Sequence, residues 1–112
     1  FESNTSPAAG TTYATPVYTE STAYDEATRP EYVEAASSSK SLTNSANKAT
    51  FTISATKTIY GGALVGGGTG ADTKGDTAGG GVMYCASQFG SSKSVVDDDI
   101  LRVTITVNAA DA

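Results

Sequence analysis

A chain of 112 residues with a formal net charge of −5 and no histidine suits a single domain and lacks the base on which serine–histidine catalysis depends. Its seven basic residues (Arg29, Lys40, Lys48, Lys57, Lys74, Lys93 and Arg102) are scattered, so no local positive field offers to release counterions from phosphate, which argues against nucleic-acid binding. The lone Cys85 excludes an intrachain disulfide framework and reads as a small core residue, since no base lies in sequence to activate it.

Large apolar residues are thin at the start. Before Leu42 there are only Phe1, Tyr13, Val17, Tyr18, Tyr24, Tyr32 and Val33. Residues 1–40 are therefore expected to form an extended N-terminal arm with loops, docking on the domain or on a neighbour. The chain opens at Phe1 without methionine, and a cleaved or missing start is expected. Residues 1–12 are small and polar, with Pro7 and Gly10, and read as an extended lead. Tyr13 to Thr19 reads as a strand that Pro16 confines to an edge. Asp25 and Glu26 start at most one helical turn, stopped by Pro30. Residues 31–35 read as a further strand, and Ala36 to Lys40 as a serine-rich link.

Residues 41–112 hold the expected core. Thr50-Phe51-Thr52-Ile53-Ser54 alternates apolar and hydroxyl side chains with the period of a half-buried strand, and residues 49–55 are predicted as one. A second strand follows at 58–65, where Gly61 and Gly62 point to a bulge or to another backbone passing close. Residues 66–81 are rich in glycine and carry no large apolar side chain. Such a stretch buries too little to offset its ordering entropy, so a mobile, projecting loop is expected. Residues 82–86 form a strand, Gly90-Ser91-Ser92 a turn, residues 93–96 a short pairing segment and Asp97-Asp98-Asp99 a second turn. The last strand, 100–107, sets Leu101, Val103, Ile105 and Val107 on one face.

The result is an all-β reading, an antiparallel β-sandwich that is immunoglobulin-like or jelly-roll in topology. Little chemistry attaches to it. Lys74 precedes Gly75 and leads into a strand, unlike a phosphate loop, and Gly68-Thr69-Gly70 has no third glycine and no helix for a dinucleotide fingerprint. Consecutive aspartates at 97–99 do not converge on one cation from an extended chain and read as a solvated turn. The carboxylates Glu20, Asp25, Glu26, Glu31 and Glu34 have no sequence-defined cleft in which two of them would serve a glycosidase. No apolar run has the length of a membrane span. Neither a cofactor nor a metal is expected. Tyr13, Tyr18, Tyr24 and Tyr32, with Arg29, lie in the core-poor part. Tyrosine combines large contact area with a polar tip, so these five are the candidate interface residues.

Several pieces stand in order along the chain: Thr19-Glu20 with Tyr24-Asp25-Glu26, Arg29-Pro30, Asn44-Ser45-Ala46-Asn47-Lys48-Ala49-Thr50-Phe51-Thr52-Ile53, Gly61-Gly62-Ala63, Tyr84-Cys85-Ala86, and Phe89 with Lys93-Ser94-Val95. Over residues 19–107 this order and spacing resembles small tailed-bacteriophage virion proteins, some of which decorate or cement capsids. The resemblance implies a non-enzymatic structural protein of the virion, assembled in the host cytoplasm. Its implied partners are the major capsid protein and further copies of itself, a homotrimer being favoured. Two other roles stay open: a receptor- or glycan-binding tail or fibre module, and a self-polymerising surface filament subunit completed by a donated N-terminal strand.

Overall fold

The computed structural model describes residues 1–110, which contain six strands and no helix. The strands are β1 (Ser41–Thr43), β2 (Ala49–Thr52), β3 (Lys57–Gly66), β4 (Val82–Val95), β5 (Ile100–Val103) and β6 (Thr106–Asn108). They pair as three antiparallel ladders, β1 with β6, β2 with β5 and β3 with β4.

The alternation read from sequence sets the pairing. In β2–β5, Phe51 stands opposite Leu101 and Ala49 opposite Val103 on one face, and Thr50 opposite Arg102 and Thr52 opposite the exposed Ile100 on the other, so one face is wholly apolar. Phe51 and Leu101, with Phe89, pack against a cluster of Ile53, Ile59 and Val95. Ile53 lies just past β2, and its amide and carbonyl bond the Asp99 carbonyl and the Asp98 amide, each at 2.8 Å. The aspartate turn thus closes the β2–β5 end, and the Asp99 carboxylate accepts the Val96 amide at 2.9 Å.

The β3–β4 ladder is the longest and shifts register twice, between Ile59 and Gly61 and between Leu64 and Val65. The first shift has a visible cause. A Cβ at Gly61 would lie 2.3 Å from both Phe1 Cζ and the Ser87 carbonyl oxygen. Only glycine lets the Phe1 ring and the β4 backbone approach together. Beside it, Tyr60 N–H donates to the Phe1 carbonyl at 2.9 Å and Phe1 N donates to the Gly61 carbonyl at 2.8 Å.

Five expectations are corrected. Residues 82–96 are not two short pieces, because β4 runs unbroken through Gly90-Ser91-Ser92 and absorbs them in the register shift. Residues 100–107 are not one strand: the chain leaves β2 after Val103 and joins β1 at Thr106. No strand forms at 13–19 or 31–35. The helical turn at Asp25-Glu26 is also missing. Asp25 N–H donates to the Thr52 carbonyl at 2.8 Å, and the Glu26 carboxylate accepts both the amide (3.0 Å) and the hydroxyl (2.9 Å) of Thr52. This part of the chain finds its hydrogen bonds on β2, and Tyr24 makes a single bridge to Ile53.

The core is shared more evenly than composition implies. Of the six buried hydrophobic side chains among the described residues, Phe1, Tyr13 and Tyr24 come from the leading segment, and Ile53, Ile59 and Val95 from the strand region.

Candidate functional site

The most organised polar cluster joins residues 13–30 to the glycine-rich loop, and Arg29 is its hub. Pro30 follows it and restricts its backbone to extended conformations, so no helix forms there to satisfy it. Arg29 instead donates its main-chain amide to the Asp72 carbonyl at 2.7 Å. Its guanidinium makes five bonds. Nε and Nη2 donate to the two Glu20 carboxylate oxygens at 2.7 and 2.8 Å. Nη1 donates to the Tyr13 hydroxyl at 3.1 Å and the Ala71 carbonyl at 2.9 Å, and Nη2 to the Asp76 carbonyl at 3.0 Å. A guanidinium has five N–H donors, and all are used within the chain. The Glu20 hydrogen bonds, aided by Tyr13, push its pKa upward against the effect of burial.

The partners of Arg29 are held in turn. The Tyr13 hydroxyl lies 2.6 Å from the Asp76 carboxylate, to which it donates, and 3.1 Å from the Gly70 carbonyl. Asp76 also accepts the Gly79 amide at 3.0 Å. The Tyr13 bond and then the Gly79 amide hold the Asp76 carboxyl below its usual range. Burial, followed by the Asp76 bond, pushes the Tyr13 phenol up. Glu20 accepts the Gly75 amide at 2.6 Å. The Lys74 ammonium donates to the Tyr24 carbonyl and sits 4.1 Å from the centroid of that ring. Where sequence predicts a projecting loop, residues 70–79 fold back and are tied to residues 13–29. The contacts are almost wholly polar, as a segment without large apolar side chains requires. Glycines permit the path: Gly67, Gly68, Gly75 and Gly80 all have φ between 66° and 75°, where other residues are strained.

The five candidate interface residues all make contacts within their own chain. Tyr13 and Tyr24 are buried within their own chain. Tyr18 is half-buried and stacks on Phe1, with ring centroids 4.4 Å apart. Tyr32 is half-buried and donates its hydroxyl to the Ile105 carbonyl at 2.7 Å. Arg29 has no donor left over. The physical reason is that the leading segment has no core of its own, so its rings pack on the strands behind it. The large apolar side chains left exposed are others: Val17, Val33, Val82, Tyr84, Val96, Ile100 and Val107.

Tyr24 is a special case. Its ring meets Phe51 edge-on at 5.1 Å, and its buried hydroxyl has no hydrogen-bond partner among the described residues. Burial, followed by the nearby Glu20 charge, pushes its pKa up to about 12. At Glu26 burial opposes ionisation, but the Thr52 amide and hydroxyl outweigh it, and its pKa is lowered.

An irregular cleft of about 940 Å³ lies between residues 13–32 and the strands, lined mainly by apolar side chains including Phe51, Leu64, Phe89 and Leu101. Asn44 is among its lining residues. It is 1% exposed, donates Nδ2 to the Val103 carbonyl at 3.1 Å and accepts the Ile105 amide at 2.8 Å through Oδ1. The sequence alone marks neither Asn44 nor Phe1 as a structural residue. The clue to Asn44 was the break it fills, which a continuous alternating pattern conceals. Cys85 is half-buried on β4. Among the described residues, no three Cys, Asp or Glu side chains gather closely enough to hold a metal ion.

Chemically, the arrangement holds segments together: its charges face one another, and its hydrogen bonds end on side chains and backbone of the same chain. No family model, no curated protein and no solved structure matches the chain.

Proposed function

We propose that this protein is a non-enzymatic structural component of a bacteriophage particle, decorating or cementing the capsid by bridging subunits. The observation that carries the reading is the saturation of Arg29. The guanidinium at the hub of the most organised polar cluster is spent on fixing the shape of the chain, with no donor left to meet a substrate. The ordered pieces over residues 19–107 support the same reading through their resemblance to virion proteins. In this proposal the three ladders form an open β-sandwich of the immunoglobulin-like or jelly-roll kind, and residues 1–40 are an extended arm docked on it. The partners are the major capsid protein and other copies of the chain, and the place of action is the virion. The contacts fall to exposed apolar residues such as Val17, Tyr84 and Ile100, in place of the inward-turned tyrosines.

Labelling the chain in isolated particles tests this. The expected result is label spread over the capsid lattice in a fixed ratio to the capsid subunit. Label confined to tail fibres would favour a receptor- or glycan-binding module. Label on cell-surface filaments would favour a polymerising subunit. Either outcome overturns the decorating role.

A further inference from the structure

We propose that residues 69–79 are a lid over the large apolar cleft, latched by Arg29 and hinged on the glycines at the foot of the loop, and that opening of the lid admits a small, neutral, apolar molecule. This adds a binding capacity to the structural role proposed above and does not rest on it.

The hinge is built from the neck of the loop. Gly66 and Val82 form the last rung of the β3–β4 ladder, and just beyond it Gly67, Gly68 and Gly80 have φ of 72°, 66° and 74°. The two legs touch there: a Cβ at Gly68 would lie 2.2 Å from the Gly79 carbonyl oxygen. A few small residues at the ends of a loop are where its backbone change is taken up when it moves. Beyond the neck the loop is bonded to itself. Thr69 N–H donates to the Gly79 carbonyl at 2.8 Å, Thr73 N–H to the Gly70 carbonyl at 2.9 Å and Gly79 N–H to the Asp76 carboxylate at 3.0 Å. The bonds that must break for the loop to swing are those to residues 13–29: Arg29 with Ala71, Asp72 and Asp76, Tyr13 with Gly70 and Asp76, Glu20 with the Gly75 amide, and Lys74 with Tyr24. They are polar, and water replaces them on opening. No large apolar side chain of the loop has to leave a core, since residues 69–79 carry none.

The cleft gives the lid its use. Ala71, Asp72, Gly75, Asp76 and Thr77 line it from the loop, and Phe51, Leu64, Phe89 and Leu101 line it from the strands. Its volume of about 940 Å³ lies within the range of about 300–1,000 Å³ typical of small-molecule sites, whereas a packed interior leaves few voids larger than a water. Charge sets the class of guest. Arg29 and Glu20 are paired with each other, Glu26 is bonded to Thr52 and Asp76 to Tyr13. The other charged residues of the lining, Glu31 and Asp72, are exposed carboxylates that repel anions. An ion would therefore leave water for apolar walls with no free counter-charge inside to meet it. A neutral apolar molecule gains from the same transfer.

The neutral fluorophore N-phenyl-1-naphthylamine, which brightens in apolar surroundings, tests this on the full chain. It is expected to bind the unaltered chain saturably, with an uptake rate set by lid opening. Arg29→Lys weakens the latch and should speed uptake by about tenfold or more, with the β3–β4 amides still protected from exchange. Ala63→Phe places a ring at a lining position of the cleft and should weaken dye binding by about tenfold or more. Should either variant fold poorly, native-state hydrogen exchange in the unaltered chain decides. The Gly75 amide, released with the latch, must exchange at a lower free energy than the β3–β4 amides and with a clear urea dependence, because opening uncovers the apolar walls. No dye binding, uptake indifferent to Arg29→Lys, binding indifferent to Ala63→Phe, or Gly75 exchange without a urea slope each overturns the lid. None of these results bears on the decorating role, which particle labelling tests by itself.

Discussion

Asn44 stands in for a missing stretch of ladder. Where the chain passes from β5 to β6, the Val103 carbonyl and the Ile105 amide lose their strand partners, and one carboxamide serves both. A side chain with adjacent donor and acceptor is required, which asparagine supplies at this length. Asn44→Ala leaves both part-buried backbone groups unpaired. It is expected to lower stability by about 2–3 kcal/mol, read as a shift in the urea midpoint at unchanged slope. Tyr24 presents the opposite balance. Its hydroxyl is buried without a partner, so Tyr24→Phe removes a desolvated polar group and keeps the ring against Phe51. The expected change runs from neutral to a gain of about 1 kcal/mol. A clear loss on calorimetry would mean that the hydroxyl has a partner in solution.

The glycine-rich loop and the segment at 13–30 stabilise each other as elements that neither could form alone. Arg29→Ala removes every guanidinium bond and strands the Glu20 carboxylate in a partly buried site. The expected loss is about 3–5 kcal/mol, the range for breaking one partner of a buried pair. Arg29→Lys keeps the charge but not the planar fork, and should recover less than half of it. Amide exchange should rise first in residues 69–79 in both variants, while the β3–β4 ladder stays protected. Gly61→Ala probes the other close approach. Its methyl would meet Phe1 and the Ser87 carbonyl, and about 1–3 kcal/mol of overpacking cost is expected. These elements also mark where sequence reading stopped. Strands β2, β3 and the start of β4 were legible because alternation has a short range and is written in the strand itself. The glycine pair at 61–62 correctly signalled a bulge. The break at Thr104-Ile105 was not legible, because the apolar period continues across it while the hydrogen-bond partner changes. Nor was the clasp: Arg29 lies 42 residues from Ala71 and 47 from Asp76, and no local pattern records so distant a pairing. The tyrosines lie in a core-poor stretch of sequence, where no local pattern shows that Tyr18 stacks on Phe1 and Tyr24 meets Phe51 edge-on.

At the scale of the whole molecule, the polar clasp and the Glu26–Thr52 tie make stability depend on pH at both extremes. Glu26 and Asp76 have lowered pKa values in the fold. Each binds its proton less tightly when folded than when unfolded. Their contribution is complete above the unfolded carboxylate value of about 4 and is lost as pH falls through the lowered folded values. Tyr13 and Tyr24 are raised, Tyr24 to about 12. Their contribution is complete below the unfolded phenol value of about 10 and is lost as pH rises through the folded values. Arg29 keeps its charge throughout, so the clasp responds through its carboxylate and phenol partners. No histidine is present to titrate between the two limbs. The urea midpoint plotted against pH should therefore fall on both sides, and the limbs should separate genetically. Asp76→Asn keeps the shape but removes the ionisation, and should shallow the acid limb while leaving the alkaline limb in place. Tyr24→Phe should shallow the alkaline limb alone. An acid limb unchanged by Asp76→Asn would mean that the Tyr13–Asp76 bond does not couple the glycine-rich loop to the stability of the fold, and that the loop opens before the strands do.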